Sequence, residues 1–230
     1  MRLPLADHDD LRSADVCILA VPDGAIVQAA DLVEEDLGKT TAMVHCSGAL
    51  PLTSIGPRKS ERALGSFHPL VAVSDSHDTL SGHSVAISAT TRGLVELLEK
   101  AASALGMSPL EVPESGRSAY HAGAVLAAGH LVALLDGAAS AFQHAGSDRH
   151  AALAALLPLM RSALEGVERR GIEKALTGPV VRGDVGIVQA HLEALPSEIG
   201  SVYRLLSRRA LMLTPALPPE TRAALERVLL

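Results

Sequence analysis

The sequence predicts an open, doubly wound parallel α/β sheet followed by an all-helical domain. Three observations carry that prediction. Short apolar runs stop abruptly at small or polar residues: VCILAVPD over residues 16–23, AMVHCSG over 42–48 and ALGSFHP over 63–69. Parallel strands read this way because both of their faces are covered. These runs alternate with helical periodicity as far as residue 113, as in a sheet with helical crossovers. From residue 114 onward only helical periodicity remains, so the expected domains are 1–113 and 114–230.

Taken in order, residues 1–15 form a short polar entry. Residues 16–21 are the first strand. Asp23 then caps a helix to about residue 35, with Ile26, Val27, Ala30 and Val33 on one face. Strands follow at 42–46, 63–67 and 84–88. Residues 91–105 carry Leu94, Leu97, Leu98, Ala101 and Leu105 on one stripe and stop at Gly106. Residues 109–112 are a last short strand. In the second part, one long helix spans 116–145. Ser147 or Asp148 caps the next, which runs to about residue 170 and should kink at Pro158. The loop TGPVVRGD leads to a helix capped by Asp184. Residues 197–213 form another helix, with Ile199, Val202, Leu205, Leu206 and Leu213 inward, and 218–230 a terminal one.

Composition narrows the function. The 230 residues are 48% hydrophobic and 20% charged, enough for a sizeable core. The net charge of -6 argues against a general nucleic-acid partner. Aromatic residues make up 2%, so the core must be built of Leu, Val and Ala. Cys17 and Cys46 read as buried thiols of a reducing cytoplasm. Residues 122–141 have the length of a membrane span, but His130 and Asp136 lie inside it, and a central charge costs roughly 3 kcal/mol on insertion scales. A buried helix of a dimer is the expected role, and no membrane partner is expected. No metal site is expected either, because the ten His are scattered without H-x-x-x-H or a Cys cluster, and His77 and His83 only flank a polar loop. The absence of G-x-S-x-G gives no support to a hydrolase.

In an open α/β sheet ligands bind outside the carboxyl ends of the strands. That rule places Asp23, Ser47 and His68 along one crevice. Each also has a plainer role: a helix cap for Asp23, a tight turn for Ser47 and Gly48, a loop-bonding imidazole for His68. As a functional group, His68 would donate a proton or orient a carbonyl. His121 follows Tyr120 on the long helix, on a face otherwise formed by Ala124, Val125, Ala128 and Val132. Thr177, Gly178, Pro179, Arg182 and Asp184 form an inter-helix loop, where Arg182 suits a substrate carboxylate or a cofactor phosphate.

The segments ADVCILAVPD, HCSGALPL, GSFHPL, YHAGAVLAAGHLVALL and LTGPVVRGD, in this order, resemble a known group. It comprises the Rossmann-like oxidoreductases with a C-terminal helical domain of unassigned function, relatives of pyrroline-5-carboxylate reductase, ketopantoate reductase and prephenate dehydrogenase. The resemblance implies a Rossmann-like sheet and a helical dimerisation domain like the C-terminal domain of 6-phosphogluconate dehydrogenase. It further implies NADP or NAD as cofactor and a small carbonyl, imine or hydroxy acid as substrate. Carried onto this sequence, it implies proton handling by His68 and His121 and cofactor contacts at Val21, Pro22, Asp23, Ser47 and Gly48. Substrate contacts fall at Tyr120, Thr177 and Arg182.

Two departures are visible. Members of the group begin with a strand and a G-x-G-x-x-G turn that holds the pyrophosphate, whereas no glycine precedes Val16. Either the reading frame begins late, or this is a shortened member that binds dinucleotide poorly. In the second case residues 16–21 form an open strand edge, and the alternative function is a non-catalytic binding or scaffold dimer. The group often carries Asn where this chain has Gly129.

Overall fold

The computed structural model describes residues 8–56, 61–73 and 79–230. His77 lies outside them. The chain forms two compact units, Met1–Ala128 and Gly129–Leu230.

The first unit runs α1 (His8–Ser13), β1 (Val16–Leu19), a 3-10 turn (Asp23–Ala25), α2 (Ile26–Val33), β2 (Ala42–His45) and a second 3-10 turn (Leu52–Ile55). It continues with β3 (Leu64–Pro69), β4 (Ser84–Ala89), α3 (Arg92–Ala104), β5 (Ser108–Glu111), a third 3-10 turn (Glu114–Gly116) and α4 (Arg117–Ala127). The strands lie in the order β1-β2-β3-β4-β5.

Side chains alternate across the strands, and the two faces fill different cores. Ala42, Val44, Phe67, Val85 and Ile87 pack against Leu94, Leu98 and Ala102 of α3. Leu19 and Met43 pack against Ile26 and Ala30 of α2 and against Ile55. Thr91 sets the start of α3, its hydroxyl accepting the Leu94 N–H at 3.4 Å.

The sheet is not parallel throughout, which corrects the sequence expectation. β1, β2 and β3 are parallel, β4 is antiparallel to β3, and β5 is parallel to β4. A parallel return needs a crossover, usually a helix. Residues 70–83, LVAVSDSHDTLSGH, carry no apolar helical stripe that would make such a crossover. β1 forms one edge of the described sheet, with Ile18 54% exposed.

The second unit is helical: α5 (Gly129–His144), α6 (Arg149–Arg170), α7 (Ile172–Ala175), α8 (Pro179–Arg182), α9 (Val185–Ala194), α10 (Ser197–Met212) and α11 (Pro219–Val228). Val180, Val188, Leu211, Leu225 and Leu229 form one core, and Ala139, Ala152 and Leu156 join α5 to α6. Asp148 caps α6 by accepting the Ala151 N–H at 3.0 Å, and Pro158 sits inside that helix without dividing it.

Three further expectations are corrected. The single helix over 116–145 is two helices that break at Ala128, whose ψ is -81°. Gly129 follows the break, and glycine supports helix least after proline. The inward face of α10 is Gly200, Ser207 and Leu211 with Tyr203, whereas Val202, Leu205 and Leu206 are exposed. The buried residues recur at helical spacing, but most are small or polar, so an apolar stripe misplaced the face. Asp184 makes no side-chain capping bond; its carboxylate accepts from Arg182 Nε at 2.7 Å instead.

The stretch Glu114–His144 is long and apolar enough to cross a membrane by length and composition, with mean hydropathy 1.6. Only 6% of that apolar window is buried within the chain. Arg117 is buried in the first unit, and Asp136 pairs with Arg149 at 2.6 Å in the second.

Candidate functional site

The site is built on one polar row across the sheet. Register pairs His45 of β2 with Ser66 of β3, and Ser66 with Ser88 of β4. All three side chains are buried, on the face opposite Val44, Phe67 and Ile87. Buried polar groups in such strands require partners. Arg117, at the start of α4, supplies them for the two serines, while His45 Nδ1 accepts the Ser47 N–H. Arg117 Nη2 donates to Ser88 Oγ at 2.9 Å and to Ser66 Oγ, and its Nη1 donates to the Ser47 carbonyl at 3.2 Å. Its Nε donates to Glu114 Oε1 at 3.1 Å, and Glu114 Oε2 accepts the Leu52 N–H at 3.0 Å. The Ser88 hydroxyl in turn donates to the Val112 carbonyl.

Two residues beyond Ser66, at the carboxyl end of β3, stands His68. One helical turn beyond Arg117 stand Tyr120 and His121. His68 Nδ1 and Tyr120 Oη share a hydrogen bond of 2.7 Å, with the rings edge to face at a centroid distance of 5.8 Å. The His121 ring lies 5.9 Å from that of His68. Gly48 closes the group: a Cβ there would lie 2.6 Å from His68 Cε1 and 2.8 Å from His121 Cδ2. The backbone meets the two imidazoles so closely that only glycine fits.

The turn after β2 is organised from within. Ser47 N–H donates to His45 Nδ1 at 3.1 Å, and the Ser47 hydroxyl donates to Asp23 Oδ2 at 3.0 Å. The same hydroxyl oxygen accepts the Ala49 and Leu50 N–H groups. Asp23 is therefore not a helix cap; Pro22 occupies that position, and no side chain caps the turn. Val21, Pro22 and Asp23 are exposed beyond the end of β1.

Burial pushes the His68 imidazole below its usual range, and the positive character of His121 and Arg117 adds to this, while Asp23 opposes it. Burial, then Arg117, lowers His45 as well, against the Pro51 carbonyl, Glu114 and Asp23. Burial raises the Tyr120 phenol, partly offset by Arg117. His68 and Tyr120 are thus both uncharged at neutral pH. The hydrogen between them is carried either by the phenol, donating to Nδ1, or by Nδ1–H, donating to Oη. Burial also raises the free thiols of Cys17 and Cys46. Among the described residues no group of three or more His, Cys, Asp or Glu could hold a metal ion.

The structure brings Asp23, Ser47, Gly48, His68, Tyr120 and His121 together. Thr177 and Arg182 belong to the second unit, where Thr177 is exposed and Arg182 pairs with Asp184. Sequence reasoning missed Arg117, Glu114, Ser66 and Ser88. Their signal was present as serines at alternating positions of apolar strands and as Glu114 three residues before Arg117, at helical spacing.

Two outcomes follow from this geometry. Gly48→Ala should lower unfolding free energy by about 1–3 kcal/mol, the usual cost of overpacking, and should separate His68 from Tyr120. Urea denaturation with imidazole NMR measures both; an unchanged variant would contradict the geometry. The second outcome is a pH effect. His45 and His68 have folded values below the unfolded one of about 6.5. Between those values the unfolded chain binds more protons, so stability rises with pH there. The contribution is complete above about pH 6.5 and is lost as pH falls through the lowered folded values. Urea midpoints should drop in that window, and His45→Gln with His68→Gln should flatten the drop.

The comparisons with known proteins bear on the fold. Residues 83–210 match the family described as Domain of unknown function (DUF2520). No curated protein matches the chain. A structure from Bacteroides fragilis, provisionally named an NADP oxidoreductase, is 22% identical with a TM-score of 0.71, over 86% of this chain and 76% of that one. A protein of Thermotoga maritima is 24% identical with a TM-score of 0.70, over 86% and 77%. Pyrroline carboxylate reductase of Plasmodium falciparum, solved with NADP bound, is 11% identical with a TM-score of 0.60, over 90% and 80%. At these identities the likeness is one of fold, and it bears out the expected Rossmann-like sheet with a helical C-terminal part. The family match extends over more than half of the sequence, and the chain belongs to the DUF2520 family.

Proposed function

We propose that this chain is an NAD(P)-linked oxidoreductase acting on a small carbonyl, imine or hydroxy acid. The observation that carries the reading is the His68–Tyr120 hydrogen bond at the carboxyl end of β3, with His121 and Gly48 against it. The residues present fit the nicotinamide end of a dinucleotide. Val21 and Pro22 offer exposed apolar surface, and Gly48 leaves backbone bare beside two imidazoles. The turn after β2 does not fit a phosphate, because its Ala49 and Leu50 N–H groups are taken by Ser47.

If the cofactor is bound there, its reduced form would supply the hydride for a carbonyl or imine carbon, and its oxidised form would take one from a hydroxy acid. The chain's own task is the proton. Tyr120 fixes one ring nitrogen of His68 and leaves Nε2 for the reacting oxygen or nitrogen. His121 shares the proton handling. Asp23 and Ser47 hold the turn that presents Gly48. Thr177 and Arg182 belong to the second unit and are proposed on their own account as contacts for an anionic group. We propose a cytoplasmic location on the free state of Cys17 and Cys46.

Calorimetric titration with NADPH and NADH should give saturable binding. NADPH-linked reduction of a panel of small imines and keto acids should slow about 10²–10⁴-fold in His68→Ala. No dinucleotide binding by a folded, dimeric chain would overturn this reading in favour of the scaffold.

We further propose that the second unit pairs two copies of the chain. Val132 of α5, Leu159 and Leu164 of α6, and Leu205 and Met212 of α10 are each more than half exposed. These exposed apolar side chains on three helices are what supports the pairing. No nucleic acid or membrane partner is proposed. Light scattering at micromolar concentration should give twice the 23.8 kDa chain mass, and a monodisperse single-chain species would refute the dimer.

A further inference from the structure

We infer that Arg117 is a positioning residue for the His68–Tyr120 pair. One buried guanidinium fixes the strand row that leads to His68 and the helix turn that leads to Tyr120. The inference rests on the oxidoreductase reading only for why the pair matters; the geometry stands apart from it.

Arg117 is 2% exposed, so its charge is surrounded by protein rather than water. It joins parts of the chain distant in sequence: the Ser47 carbonyl after β2, the Ser66 hydroxyl of β3 and the Ser88 hydroxyl of β4. Glu114 connects the same guanidinium to the Leu52 N–H, so the turn carrying Gly48 is held at both ends. Tyr120 and His121 lie three and four residues after Arg117 and share its side of α4. His68 lies two residues after Ser66 and shares its face of β3. Each partner of the pair is therefore one short step from a group that Arg117 holds.

A planar fork with five N–H donors can serve these acceptors together, whereas a lysine ammonium has three donors and no fork. Misplacement by about 1 Å is enough to impair a catalytic constellation. The charged and titratable groups facing His68 are His121, Arg117, Asp23 and Tyr120. Lysine at position 117 retains the charge among them, so Arg117→Lys isolates the loss of the fork.

The test reads the ring nitrogens of His68 by NMR in the full chain, without cofactor or substrate. Tyr120→Phe defines the signature of a broken pair. Arg117→Lys should reproduce that signature. His191, which makes a 2.9 Å bond to Tyr203 in the second unit, should not move. A folded Arg117→Lys chain with wild-type His68 signals overturns the inference. If Arg117→Lys does not fold, Ser88→Ala is read instead: it removes one of the guanidinium's acceptors and should displace the His68 signals in the same direction. Unchanged signals there also overturn it. Failure of NADPH binding bears on the enzyme reading alone, since the NMR result needs no dinucleotide.

Discussion

Arg117 on its row of buried hydroxyls is the contact around which the first unit is arranged. A sheet face lined by apolar side chains would accept α4 in several registers. A face that carries His45, Ser66 and Ser88 does not, because buried hydroxyls without partners cost roughly 1–3 kcal/mol each. The guanidinium meets two of those hydroxyls, and its own burial is tolerable only because Glu114 and the Ser47 carbonyl complete its shell. Register, helix placement and turn geometry are thus set by one group.

The same arrangement explains the electrostatics. A cation buried below two imidazoles and a phenol favours whichever forms carry no positive charge. His45 and His68 move down, while Arg117 counters the rise that burial imposes on Tyr120. The Glu114 carboxylate keeps part of its surface in water, so the balance is met at the edge of the unit rather than deep within it.

Much of this was legible in the sequence. The five strands were visible as apolar runs ending in small or polar residues, and the crevice residues Asp23, Ser47 and His68 followed from where those runs stop. Ser147 or Asp148 was readable as a capping position, and Asp148 serves as the cap. What was not legible depended on contacts between segments far apart in the chain. Arg117 carried no local signal of its role, since nothing near it in the sequence shows that Ser66 and Ser88 lie side by side. Asp23 and Asp184 matched the local capping pattern, but Ser47 and Arg182 compete for their carboxylates and win. The direction of β4 escaped for a similar reason: an apolar pentapeptide reads alike in either direction, and only the connection decides.

That reversal has a consequence for how the site is reached. β4 and β5 run against β1 to β3, and register sets Leu110 of β5 level with Ala86 of β4 and His68 of β3. The chain leaving β5 passes through the 3-10 turn Glu114–Gly116 into α4, which brings Arg117 and then Tyr120 to the site. From Arg117 to Tyr120 the helix gains about 4.5 Å along its axis. From Ser66 to His68 the strand gains about 6.6 Å. The two segments are tied at their starts by the bond from Arg117 to Ser66 and at their ends by the 2.7 Å bond between Tyr120 and His68.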